Sequence, residues 1–122
     1  ATEQGGSHML AVTGDGRRLY TGNTRDNTVS ELDLQLERRT NTFAVSARPE
    51  AITVTPDGAE VWVGSNAEGT VSVVRPATGE VRTMLEGFGW PYRILITPDQ
   101  RRALVPDLRR HELRIAERAT GR

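Results

Sequence analysis

The 122-residue chain repeats itself every 42 positions, and that period restricts it to architectures made by stacking similar units. Asp15-Gly16, Asp57-Gly58 and Asp99-Gln100 stand at this spacing. Each follows an apolar string: Met9-Leu10-Ala11-Val12-Thr13, Ala51-Ile52-Thr53-Val54-Thr55 and Arg93-Ile94-Leu95-Ile96-Thr97. Between the first two copies Val12, Thr13, Gly22, Thr28, Val29 and Ser30 recur as Val54, Thr55, Gly64, Thr70, Val71 and Ser72. The third copy is the most divergent, yet it keeps Ile94, Thr97, Pro98 and Val105 in register with Ile52, Thr55, Pro56 and Val63. Gly6-Ser7-His8-Met9 matches the scar of a cleaved expression tag but reads as part of the repeat, because Met9 is in register with Ala51 and Arg93.

Each period reads as four short strands separated by turns. The first strand is the apolar string, and Thr55-Pro56-Asp57-Gly58 states why it stops: proline fixes φ, aspartate bonds backbone two residues on, and glycine accepts positive φ. The second strand is Leu19-Tyr20-Thr21, Val61-Trp62-Val63 or Ala103-Leu104-Val105. The third runs over 28–32, 70–74 or 113–115, and the fourth over about 40–45 and 81–85. Apolar side chains on both faces of the first two strands need cover on both sides. Four-stranded antiparallel meanders of this size, stacked face to face, are β-propeller blades.

The predicted fold is therefore all-β, one partial propeller domain over 1–122, with blade 1 at about 7–47, blade 2 at about 48–89 and an incomplete blade 3 at about 90–122. Closed rings typically have four to eight blades. The expected partners are accordingly the remaining blades of a larger chain or further copies of this one, meeting at Leu10, Val12, Ile94, Ile96, Leu113 and Ile115.

These residues resemble the YVTN repeat family. The matches are Thr55-Pro56-Asp57-Gly58, Tyr20-Thr21-Gly22-Asn23, and Thr70-Val71-Ser72-Val73 followed by Ala77-Thr78-Gly79. Departures are Gly14 in place of proline, Gln100 in place of glycine, and Val105-Pro106-Asp107 where asparagine should end the second strand. The resemblance implies a bacterial propeller, exported in many relatives to the periplasm or cell surface. The same blade grammar is similar to that of lactonase-type propellers.

Composition narrows the function. Sixteen cations, all arginine, balance sixteen acids, which argues against a nucleic-acid binder and against a polybasic membrane-surface module. No apolar stretch approaches the roughly 18 residues of a membrane-spanning helix. Without cysteine there is no disulfide and no thiolate zinc site, and His8 and His111 form no short-spaced ligand pair, so neither metal nor cofactor is expected. Asp15, Asp57 and Asp99 are explained by turn chemistry. The arginine excess of 101–122 reads as a solvated face.

The candidate ligand-binding residues lie in the loops that gather at one mouth of a propeller. His8, Glu50 and Tyr92 are equivalent positions between the fourth strand of one blade and the first of the next. The loops between second and third strands add Asn23, Asn66 and Asp107, with Arg25, Asp26, Glu68, Arg109 and Arg110 nearby. A histidine, a carboxylate and a phenol converging there could hold a ligand or transfer protons. No nucleophile, base and oxyanion donor assemble, and nothing like Gly-x-Ser-x-Gly surrounds Ser30 or Ser72. The favoured reading is a non-catalytic binding or scaffold module. The alternative is a fragment of a lactonase-type propeller enzyme, with His8, Glu50 or an arginine acting on a small lactone.

Overall fold

The computed structural model describes residues 1–122 and contains no helix. Eleven strands follow in order: β1 (Ser7–Val12), β2 (Arg18–Asn23), β3 (Thr28–Asp33), β4 (Arg38–Ala44), β5 (Pro49–Val54), β6 (Val61–Ser65), β7 (Thr70–Arg75), β8 (Glu80–Leu85), β9 (Leu95–Ile96), β10 (Arg102–Asp107) and β11 (Glu112–Glu117). They form three antiparallel meanders, β1–β4, β5–β8 and β9–β11. The first strands pack on one another, β1 on β5 and β5 on β9, while the sheets fan outward. This is the partial β-propeller expected from the repeat.

The turn after each first strand is built identically three times. Thr13, Thr55 and Thr97 donate their hydroxyls to Asp15, Asp57 and Asp99 at 2.6, 2.6 and 2.5 Å. Each carboxylate also accepts the amide two residues on, at 3.0 Å in all three. The next position is left-handed each time, with φ of 70° at Gly16, 73° at Gly58 and 61° at Gln100. A Cβ on Gly58 would meet nothing nearer than the Thr13 methyl at 3.8 Å, so only the backbone conformation restricts that site. Gly58→Val is accordingly expected to cost about 1–3 kcal/mol through a β-branched residue at positive φ. An unchanged urea midpoint would overturn this.

The apolar residues form two seams between blades. Tyr20, Val29 and Phe43 of blade 1 pack on Val61, Val63 and Val74 of blade 2. One period on, Trp62, Val71, Val73 and Leu85 pack on Ile94, Ile96, Ala103, Val105 and Ala116 of blade 3. Equivalent positions at the two ends are bare: Leu10 and Val12 on blade 1, and Leu113 (60% exposed) and Ile115 on blade 3. Ile94 and Ile96, expected at an open face, are instead buried in the second seam, and Leu95 between them is the exposed residue.

Blade 3 departs from the pattern in one further way: the strand expected over 93–97 pairs only at Leu95–Ile96. Pro106 is the cause. Its carbonyl accepts the Tyr92 amide at 3.0 Å, so its nitrogen faces the same neighbour and has no hydrogen to return.

At the foot of each sheet a cross-strand pair carries opposite charges, and its order reverses from blade to blade. Arg18 stands opposite Asp33, Glu60 pairs with Arg75 at 3.5 Å, and Arg102 pairs with Glu117 at 3.5 Å.

Candidate functional site

The loops at the other end of the sheets enclose a polar cavity of about 310 Å³, lined by His8, Thr24, Arg48, Glu50, Asn66, Trp90 and Arg109. All three blades contribute. Glu50 lies at its centre, its side chain only 17% exposed. Its carboxylate accepts from the Asn66 amide and from Trp90 Nε1 at 3.3 Å, and His8 Nε2 stands 3.7 Å from its other oxygen. The Asn66 side-chain oxygen is buried without a partner. Thr24, Arg48 and Arg109 complete the wall, so the cavity offers two guanidinium groups, a hydroxyl and an amide around one anchored carboxylate.

Arg48 occupies its place under strain. Its φ is 55°, and it precedes Pro49, where steric conflict already restricts the backbone. The equivalent residue in blade 1 is Gly6, with φ of 73°. The turn takes a left-handed residue in these two blades, glycine in blade 1 and arginine in blade 2, whereas Trp90 at the same position of blade 3 is not left-handed. Hydrogen bonds hold it there: the Arg48 amide donates to Asn27 Oδ1 at 2.9 Å, and its carbonyl accepts the Asn66 amide at 3.2 Å.

Of the residues selected from sequence, His8, Glu50 and Asn66 line the cavity. Tyr92 lies outside it, its ring edge-on to Trp90 with centroids 6.1 Å apart and the Arg93 guanidinium 4.8 Å above it. Asn23 and Asp107 are buried behind the loops, at positions equivalent to Ser65. Asn23 accepts from Ser7 at 2.8 Å and donates to Thr28 and Ser30 at 2.9 Å, which also ties Ser7 and His8 into the repeat. Asp107 accepts four backbone amides, from Gly89 (2.7 Å), Trp90 (2.9 Å), Arg109 (3.2 Å) and Arg110 (3.2 Å). It therefore positions two cavity residues without facing the cavity. Thr24, Arg48 and Trp90 were not selected from sequence. The available signal was the blade-to-blade comparison of Gly6, Arg48 and Trp90, where glycine gives way to two large side chains.

Two buried carboxylates respond to acid in the same sense. Burial pushes the Asp107 carboxyl up, but the amides of Gly89, Trp90, Arg110 and Arg109 together outweigh it and hold the group below the usual range. Glu31 is likewise opposed by burial and held low by Asn41, Tyr20, Thr40 and the Arg18 charge. Tyr20 donates to Glu31 at 2.8 Å, across the β2–β3 pair within blade 1. A depressed folded-state value means that the unfolded chain binds protons first. The stabilisation is complete above an unfolded pKa of about 4 and is lost as pH falls through the folded value. The melting temperature is expected to be flat from neutrality to about pH 5 and to fall below that, with a shallower fall in Glu31→Gln. An identical acid limb in that variant would remove Glu31 from the account.

Fold and site together define a β-propeller segment with a polar cavity among its loops. Solved structures agree on the fold. The chain is similar to the hydrazine synthase of Kuenenia stuttgartiensis, with a TM-score of 0.81 and 29% identity over 95% of this chain and 37% of that one. It is also similar to a putative 6-phosphogluconolactonase of Bacteroides fragilis, with a TM-score of 0.79 and 21% identity over 96% of this chain and 36% of that one. The chain thus spans little more than a third of the length of either protein. No protein-family model matches the sequence, and no curated protein sequence matches it.

Proposed function

We propose that this chain is a YVTN-type propeller segment whose loop cavity binds a small molecule bearing an anionic group and hydroxyls, without transforming it. The observation that carries this reading is Arg48. A charged side chain held in a strained conformation, where the neighbouring blade has glycine, is retained for what its guanidinium meets. Arg48 and Arg109 suit a carboxylate or phosphate, while Glu50, Asn66 and Thr24 suit hydroxyls. The bare apolar faces at Leu10 and Val12 and at Leu113 and Ile115 support further blades on either side. That arrangement would leave the cavity as one part of a larger channel mouth.

The test is Arg48→Gly, with gluconate as the probe in isothermal titration calorimetry. Stability is expected to hold or rise by about 0.5–1 kcal/mol as the strain is relieved, while gluconate affinity falls about 10-fold. A destabilised variant with undiminished affinity, or no binding to the parent, would overturn the reading.

Lactone hydrolysis is the second reading. It is favoured by the His8–Glu50 pair facing two arginines, and by the likeness to a putative lactonase. Opening of gluconolactone above its spontaneous rate, lost in His8→Ala, would replace binding with turnover.

A further inference from the structure

Two clefts open between successive blades at the end opposite the loop cavity, and they are the same cleft one period apart. Arg18, Asp33, Thr40, Gly58 and Pro76 of the first are replaced in the second by Glu60, Arg75, Arg82, Gln100 and Arg118. The replacement inverts the charge. The first cleft sets one arginine against Glu31 and Asp33, whereas the second sets four arginines against Glu60 and Glu117.

In the second cleft, of about 430 Å³, Glu60 anchors the floor. Glu60 is 8% exposed and accepts from Trp62 Nε1 at 3.1 Å and Arg118 Nε at 3.0 Å, with Arg75 at 3.5 Å. Arg118 also lies 3.9 Å from Asp57, which bonds to its own turn. Glu60 therefore fixes two guanidinium groups across the seam, one from each blade. Arg82 and Arg101 line the same cleft, and neither has a carboxylate within 4.0 Å. Glu60 already bridges Arg75 and Arg118, so Arg82 and Arg101 are the two cleft guanidinium groups left without a carboxylate partner.

We propose that this cleft binds a phosphate monoester or a comparable doubly charged small oxyanion. Arg82 and Arg101 close on it, while Glu60 holds Arg75 and Arg118 ready. Guanidinium groups match phosphate oxygens in paired hydrogen bonds, and the two held by Glu60 lose little freedom on binding. A small ligand fits better than a polyanion, because Glu80 and Glu117 flank the arginines and the chain has no net charge to extend a track.

The test is calorimetric titration of the full chain with inorganic phosphate and with glycerol phosphate at constant ionic strength. Saturable binding is expected, weakened about 10-fold or more in Arg82→Gln/Arg101→Gln. The melting temperature of that variant should change by less than about 2 °C, since both side chains are exposed and unpaired. The binding that Arg82→Gln/Arg101→Gln weakens should persist in Arg48→Gly, which removes only whatever phosphate the loop cavity holds, and this separates the two sites. No saturable heat, or equal affinity in the double variant, would overturn the proposal. Binding to vesicles containing phosphatidic acid without any response to soluble phosphates would also overturn it, in favour of a membrane surface.

Discussion

Asp107→Ala is expected to lower the unfolding free energy by about 3 kcal/mol, a large loss for one side chain at a strand end. The reason is the number of backbone groups that depend on it. Four amides from two loops converge on one carboxylate that is itself shielded from solvent. Removing it leaves those donors without an acceptor. Asp107→Asn is expected to lose roughly half as much, because one amide oxygen replaces two carboxylate oxygens and the new NH₂ faces donors. The alanine variant should also weaken gluconate binding, since Trp90 and Arg109 hold their places in the cavity through this residue. Urea unfolding monitored by tryptophan fluorescence reads the first effect and calorimetry the second. A loss below about 1 kcal/mol would mean that water readily takes the place of the carboxylate.

Trp62→Ala is expected to cost about 3–5 kcal/mol. The indole is completely buried in the second seam among Val71, Val73, Ile94 and Ile96. Its Nε1 also holds Glu60, so the substitution empties a cavity and frees a buried carboxylate together. Trp62→Phe separates the two contributions, keeping most of the packing while removing the donor. Equal losses for the two variants would assign the whole effect to the Glu60 bond.

What could be read from the sequence was whatever depends on neighbours along the chain. The Thr-Asp turns are local, so three copies of the motif were enough to place them, and Gln100 takes the left-handed conformation despite its Cβ. The seams followed from apolar residues on both strand faces. Ile94-Leu95-Ile96 gave no alternation to follow, so the outward turn of Leu95 was not legible. Pro106 was seen as a departure from the repeat, but its effect on β9 depends on which neighbour its nitrogen faces. In the site, register alone gathered His8, Glu50 and Asn66. Asn23 and Asp107 were placed with them because a polar residue at a strand end looks the same in sequence whether it faces a ligand or a buried amide. Arg48 and Trp90 were not legible for the converse reason, since their place in the cavity depends on how the rest of each loop folds.

The reversing charge pairs at the foot of the sheets determine the order in which blades can follow one another. The seams are built mostly of valine, leucine and isoleucine, and such surfaces tolerate exchange. If blade 3 docked on blade 1 directly, Arg118 would meet Arg18 beside a Glu31 already occupied by Tyr20, Thr40 and Asn41. If blade 2 were simply duplicated, its own Pro76 would stand where Arg118 belongs, and Glu60 would lose its partner from the following blade. Wrong pairings between near-identical units are a characteristic failure of repeat proteins. Here a few ionic positions outside the apolar seam act as an address for each unit, so an array built by copying one blade would fold with its neighbours interchangeable.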